Sequence, residues 1–196
     1  MEDSLFKINT KLPDHIGEMP IFKTFHFDTA SARNKDYANY IATRVEFLRG
    51  NFNTEGELRD LGEQLTIKNE KEALEIYTAS DSFWWTDRIH AYSEDRKLSE
   101  NLPKKDAAVE NAVNLLKELK IDTEFIKLHS VTNNMAAFSE SPKDEKGTQY
   151  PTSVTVNFTY ELSGFPIFGS GAKTQVSYIN QDQSVEILHF YRTPKA

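Results

Sequence analysis

A helical stretch followed by a run of alternating strands occurs twice along this chain of 196 residues. In the second occurrence, apolar residues recur every three or four positions between Lys105 and Lys120, which is the spacing of one buried helix face. In the first, the same spacing predicts a helix from about Asn34 to Phe47, and Gly50 is expected to end it. A helix with one apolar face is stable when that face packs against another element. The repeated order therefore predicts an α+β fold in which helices cover a sheet.

Alternation of apolar and polar residues predicts the strands, because successive side chains of a strand point to opposite faces of the sheet. Polar turns between neighbouring segments favour antiparallel pairing. The segments with this pattern are 21–27, the hairpin strands within 64–92, 124–129, 153–160, 172–179 and 184–192.

The stretch 93–106 is charged and contains Pro103, which is typical of a connection between two units. We therefore predict tandem units, each with one helix packed on an antiparallel sheet. The N-terminal unit, residues 1–96, is a strand, a helix and a hairpin. The C-terminal unit, residues 97–196, is a helix followed by an antiparallel meander.

Composition limits the partners that the protein is expected to bind. The formal net charge is −7, and nucleic acid is not an expected partner because phosphate attracts basic surfaces. There is no cysteine, which excludes disulfides and thiolate metal sites. No apolar run approaches the ~18 residues of a membrane-spanning helix, so we expect a soluble protein without membrane insertion. The first residues lack the basic and apolar regions of a signal peptide, and the sequence leaves the compartment open.

No motif for catalysis or cofactor binding is complete in the chain. The five histidines include no pair at the i, i+4 spacing of a helical zinc site. Gly164 and Gly169 have the spacing of a phosphate-binding loop, but Ser170 stands where that loop needs Lys, and a strand is predicted to follow. There is no Gly-x-Ser-x-Gly nucleophile motif. We therefore predict no catalytic residue, no metal and no cofactor.

Two adjacent tryptophans are the strongest indication of a binding surface. In a strand, Trp84 and Trp85 point to opposite faces, so one can join the core while the other faces solvent or a groove. A solvent-facing Trp is a common anchor in protein interfaces, because it buries a large area with little loss of conformational entropy. Asp87 and His90 follow in the same segment, and His189 lies in the last predicted strand.

The hairpin in residues 157–188 contains Gly164 and Pro166 at its turn, followed by Gly169, a strand, a polar turn and a closing strand. This order is similar to the hairpin of PepSY-type domains and of the related YycI/YycH regulatory lipoprotein domains, and the helix 106–120 has the position of that family's helix. The resemblance implies a cystatin- or PepSY-like fold that binds or restrains a partner protein outside the cytoplasm, without catalytic residues.

The sequence leaves two main functions open, and it also allows a third, a structural or accessory subunit of a larger assembly. The leading hypothesis is a non-catalytic binding or regulatory module that acts through protein–protein contact, at sheet edges or near the tryptophans. The alternative is a small-molecule binder, or an enzyme, with an aromatic-lined pocket between helix and sheet and a histidine or carboxylate for proton transfer. The candidate binding residues of these two hypotheses are Trp84, Trp85, Asp87, His90, Phe165, Phe168 and His189.

Overall fold

The computed structural model describes residues 35–91, 101–138, 148–162, 164–167, 171–181 and 183–191. Within these residues the chain forms one antiparallel sheet of nine strands and a few helices. The predicted α+β class with an antiparallel sheet is therefore confirmed. The predicted strand at 21–27 and the predicted boundary after residue 96 lie outside the described residues.

The described part of the chain contains four α-helical segments. The first two, Lys35–Tyr40 (α1) and Glu46–Phe52 (α2), are joined without a break by a π-helical segment, Ile41–Val45. A single turn, Arg88–Ala91 (α3), follows the hairpin strands. The helix Lys105–Glu118 (α4) is the one that the second apolar pattern predicts.

The end of α2 differs from the sequence prediction. Gly50 lies inside the helix, so its expected role as the stop is wrong. The chain leaves the helix at Asn53, whose backbone is left-handed with φ of 51°. The N–H groups of Asn53 and Thr54 donate to the carbonyl oxygens of Gly50 and Arg49, a pairing that commonly closes a helix. An Asn tolerates this conformation better than most residues, which explains why the helix ends here.

The strands pair with neighbours in antiparallel orientation throughout the described sheet. The two shortest are three residues long, too short to show alternation in the sequence, and were not predicted. The strand that begins near Phe83 ends where α3 begins, earlier than the sequence suggests. The bounds are Leu58–Asp60 (β1), Gln64–Lys68 (β2), Glu72–Tyr77 (β3), Ser82–Asp87 (β4), Ile126–Phe138 (β5), Thr148–Leu162 (β6), Phe165–Ile167 (β7), Ala172–Tyr178 (β8) and Ser184–Tyr191 (β9).

The order of strands across the sheet is β1-β2-β3-β4-β9-β8-β6-β5, with β7 beside β6. The junction between the two halves is the pairing of β4 with β9, in which Phe83 lies opposite His189 and Trp85 lies opposite Ile187. This pairing joins the N-terminal meander, β1 to β4, to the strands of the C-terminal half. The described sheet is therefore continuous from one half of the chain to the other.

Helices α2 and α4 both contribute to one apolar core on one face of the sheet. The ring of Phe52, at the end of α2, stacks on the Trp85 ring with 4.7 Å between centroids and 10° between planes. Helix α4 buries Ala108 and Leu116 in the same cluster and lies against β5 and β6. We call the opposite side of the sheet, which α2 and α4 do not cover, the open face.

Arg44 connects the first helical stretch to the end of α4 and to the turn between β3 and β4. Arg44, in the π-helical segment, donates from Nε to the Asp81 carboxylate at 2.9 Å and from Nη1 to the Leu119 carbonyl oxygen at 2.9 Å. The hydroxyl of Tyr40 donates to the same carboxylate at 2.7 Å. Asp81 lies between β3 and β4, and Leu119 ends α4, so these bonds fix the first helix against both.

Candidate functional site

The two tryptophans of β4 occupy opposite faces of the sheet, as alternation predicts. Trp85 is 7% exposed and packs in the core. Trp84 is half-buried on the open face, and its Nε1 donates to Oε1 of Glu186 in β9 at 2.9 Å. This hydrogen bond fixes the orientation of the indole, so its exposed surface is held in place.

Trp84 belongs to a strip of large side chains on the open face. Leu188 of β9 is its direct cross-strand partner, and Phe190 lies two residues further along the same face. The Phe190 and Tyr77 rings are 5.2 Å apart and tilted by 50°. We call these four residues, Trp84, Leu188, Phe190 and Tyr77, the open-face strip. All four are half-buried, so each presents part of its apolar surface to solvent.

A groove of about 420 Å³ lies along one end of this strip. Tyr77, Leu188 and Phe190 provide its apolar surface, and Lys173 and Glu63 provide one positive and one negative group. Ser80 and Ser82 also line the groove, and of these Ser82 is buried. Because neighbouring residues of β4 alternate between faces, the buried Phe83 places Ser82 on the open face. The groove therefore opens on the side of the sheet opposite the helices, not between helix and sheet.

A network of polar side chains surrounds the tyrosine of the groove. Glu75 accepts hydrogen bonds from Gln64 at 2.9 Å and from the Tyr77 hydroxyl at 3.5 Å, and it pairs with Lys68 at 2.5 Å. Burial, followed by the negative charge of Glu75, raises the pKa of the Tyr77 hydroxyl. Tyr77 therefore remains neutral at physiological pH and acts as a hydrogen-bonding and apolar group.

Asp87 and His90 stabilise the end of β4 and do not line the groove. Oδ1 of Asp87 accepts the backbone N–H groups of Ile89 and His90, both at 3.1 Å, and so caps the single turn of α3. Oδ2 of Asp87 is 2.6 Å from Nδ1 of His90. Asp87 also lies opposite Glu72 in β3, and burial together with the Asp87 charge raises the pKa of Glu72. The capping of α3 by Asp87 therefore explains the short contact between Asp87 and His90.

His189 is buried on the helix-covered face and is only 6% exposed. Its Nδ1 is 2.9 Å from Oγ1 of Thr174 and 3.4 Å from the hydroxyl of Tyr160. Burial, and then the positive charge of Arg44, lowers the pKa of His189 to about 3. A neutral histidine in the core is not positioned to exchange protons with a ligand in the groove.

The remaining predicted site residues lie in the hairpin with the Gly-x-Pro turn. Phe165 begins β7, which pairs with β6 so that Phe165 is opposite Leu162. Phe168 lies outside the described residues. The seven predicted residues are therefore not gathered at one place: Trp84 is on the open face, Trp85 and His189 are in the core, and Asp87 and His90 are at a strand end.

None of the predicted site residues that the structure describes lines the groove, so sequence reasoning missed its lining, including Tyr77, Leu188, Phe190, Lys173 and Glu63. Alternation in β9 places Leu188 and Phe190 on the face opposite His189, and this signal is present in the sequence. The pairing of β4 with β9, which brings Leu188 beside Trp84, joins residues about a hundred positions apart and has no local signal.

The described residues contain no group of three or more histidine, cysteine, aspartate or glutamate side chains arranged to hold a metal ion. No helix in that part of the chain is long and apolar enough to cross a membrane. Comparison with models of protein families finds no match to the chain, and neither the curated proteins nor the solved structures yield one. The open-face strip and its groove are therefore identified by geometry alone.

Proposed function

We propose that the protein is a non-catalytic binding module that acts through protein–protein contact, and that the open-face strip is its contact surface. The observation that carries this proposal is the oriented, half-buried Trp84 beside Leu188, Phe190 and Tyr77 on a face that α2 and α4 do not cover. Aromatic side chains that are partly exposed and held rigidly are typical of the energetic centre of protein interfaces.

The chemistry of the groove defines the partner segment that it fits. A large apolar side chain of the partner would enter between Tyr77, Leu188 and Phe190. Polar groups beside that side chain would meet Ser80 and the opposite charges of Lys173 and Glu63. A mainly apolar surface with a few polar groups at its margin is the usual composition of such a contact.

The sequence resemblance to PepSY-type and YycI/YycH domains supports the same class of function, because it implies a fold that binds or restrains another protein. The tandem arrangement belongs to this proposal: α2 packs on β4 of the first meander, and α4 lies against β5 and β6 of the second. In this arrangement the helices stabilise the sheet from one side while the open face is left to the partner.

Replacing Trp84 with Ala should weaken binding of the partner by about 2 kcal/mol or more, because truncation removes the largest side chain of the strip. Wild-type and W84A proteins would serve as baits for quantitative mass spectrometry, followed by calorimetry with the purified partner. Leu128 lies in β5, at the end of the sheet away from β1, and is 52% exposed. It provides the matched control L128A.

A partner retained by wild type and L128A, but lost by folded W84A, would support the proposal. Equal affinity of folded W84A and wild type for every captured protein would refute the role of the strip. Thermal unfolding of each variant separates loss of binding from loss of fold.

A second candidate function is the binding of a small molecule in the groove. The volume of about 420 Å³ falls within the range typical of small-molecule sites, and three of its side chains are large and apolar. Native mass spectrometry of the purified protein would reveal a retained ligand. A ligand lost in the L188A variant, with no protein partner captured, would favour this second function.

A further inference from the structure

The two end strands of the sheet differ in how they are protected against pairing with another chain. At one end, β1 has only three residues, and two of them, Arg59 and Asp60, are charged. At the other end, β5 has thirteen residues, and no described strand pairs with its outer edge. Short, charged end strands resist association, whereas a long one leaves a row of unpaired backbone N–H and C=O groups.

The β5 edge also carries little charge. With histidine counted as neutral, Lys127 is the one charged residue of β5, whereas 27% of the residues in the whole chain are charged. Register shifts at Leu128/Ser130 and Asn134/Met135 interrupt the ladder with β6, and the regular stretch between them is Ser130–Asn134. Native sheets commonly block an exposed edge with a lysine, a proline, a β-bulge or an inward-pointing charge, and in β5 Lys127 and the two register shifts flank residues 130–134. Residues 130–134 contain none of these.

The outer part of the β5–β6 hairpin has little support from the rest of the sheet. Strand β8 pairs with β6 only from Val154 to Phe158, whereas β5 pairs with β6 as far as Thr148. Met135 in this outer part is 53% exposed. Two paired strands alone are only marginally stable in water, so additional strands at the β5 edge would stabilise the hairpin.

We propose that the outer edge of β5 pairs with β5 of a second copy of this chain, antiparallel, about a two-fold axis near Thr132. Thr132 is the middle residue both of β5 and of the regular stretch. In this arrangement Thr132 faces Thr132, and Ser130 faces Asn134. Threonine pairs across antiparallel strands are favourable, and the amide of Asn134 already donates to the hydroxyls of Ser153 and Thr155 in β6.

Charge is the reason for choosing a second copy as the occupant. Each chain carries a formal net charge of −7, so two copies repel each other over most of their surfaces. Across residues 130–134 no like charges meet, because no residue there is charged. Residues 130–134 offer a foreign strand no charge to recognise, whereas two-fold pairing makes an identical strand complementary to itself. This pairing is independent of the role proposed for the open-face strip.

Pairing along a single strand buries less area than the roughly 1,000 Å² of a stable interface, so the dimer should be in concentration-dependent exchange with monomer. The absence of cysteine makes single-cysteine cross-linking free of background. The T132C variant should form a covalent dimer on mild oxidation or with a short bis-maleimide. Leu61, which is 65% exposed beside the opposite end strand, gives the control L61C, which should cross-link far less.

Sedimentation equilibrium of the full chain provides the second measurement. T132K places two ammonium groups opposite each other and should raise the dissociation constant by at least about tenfold, while L61K should leave it unchanged. Equal cross-linking of T132C and L61C, or monomeric wild type at concentrations up to about 1 mM, would overturn the proposal. If T132K fails to fold, the cross-linking result decides.

Discussion

At the scale of single residues, His189 has a polar environment within the described core. It lies in hydrogen-bonding range of Thr174 and Tyr160, and its ring is 5.5 Å from that of Phe83. The folded protein keeps this imidazole neutral, since burial and the charge of Arg44 both disfavour the protonated form. The free energy of unfolding therefore decreases as the pH falls, because the unfolded chain can protonate this histidine more readily.

The pH dependence of stability should therefore contain a contribution from His189. Its ordinary pKa is 6.5 and its folded pKa is about 3, so between these pH values the unfolded chain binds a proton that the folded chain excludes. The contribution to the free energy of unfolding is complete above pH 6.5 and is lost as the pH falls towards 3. Over this interval the slope approaches about 1.4 kcal/mol per pH unit.

The variant H189Q isolates this contribution, because glutamine is a neutral polar side chain that does not titrate. Urea unfolding of both proteins at about pH 7 and about pH 5 gives the comparison, since the carboxylates titrate in both. Wild type should lose more stability than H189Q on going to the lower pH. The same loss in both proteins would show that the folded state does not exclude the proton.

At the scale of helices and strands, the sequence predicts the elements well and their ends poorly. The apolar spacing of α4 and the alternation of β2, β3, β8 and β9 are local and indicate each element correctly. Gly50 misled the prediction because glycine is common just beyond a helix end, whereas here the left-handed position is occupied by Asn53. The alternation that separates Trp84 from Trp85 is equally local, which explains why their opposite faces were predicted.

Gly50 in the interior of α2 should be a source of instability. Glycine costs about 1 kcal/mol relative to alanine in a helix, and no atom lies within 4 Å of the position that a Cβ would take at Gly50. The G50A variant should therefore be more stable by about 1 kcal/mol in urea unfolding.

Gly164 provides the matched control, because a Cβ would also meet no neighbour there but its φ is +81°. The G164A variant should lose stability, since a left-handed backbone is unfavourable for alanine. If G50A were destabilised as much as G164A, α2 would not have the helical conformation described at this position.

At the scale of the whole molecule, the pairing of β4 with β9 determines both the continuity of the sheet and the composition of the open-face strip. No local pattern records which strands pair, so the sequence indicates two successive meanders but not their junction. The groove was unpredictable for the same reason, because Tyr77 and Phe190 meet only across that junction. The net charge and the absence of cysteine, by contrast, depend on composition alone and were available from the sequence.

Ile187 tests whether the continuous sheet unfolds as one unit. It is fully buried at the junction, opposite Trp85 in β4 and Val176 in β8. Replacing it with alanine leaves a cavity between the two halves and should cost about 2–5 kcal/mol. The control is L188A on the same strand, which removes a half-buried side chain from the open face and should cost less.

Two probes report on the two halves during unfolding of I187A. Tryptophan fluorescence follows β4, which holds both tryptophans, and amide hydrogen exchange follows α4. Because Ala112 and Leu116 of α4 share one apolar cluster with Trp85, both probes should shift to the same lower urea midpoint. If α4 kept its protection after the fluorescence transition was complete, the two meanders would be separately folding units joined by a sheet that forms last.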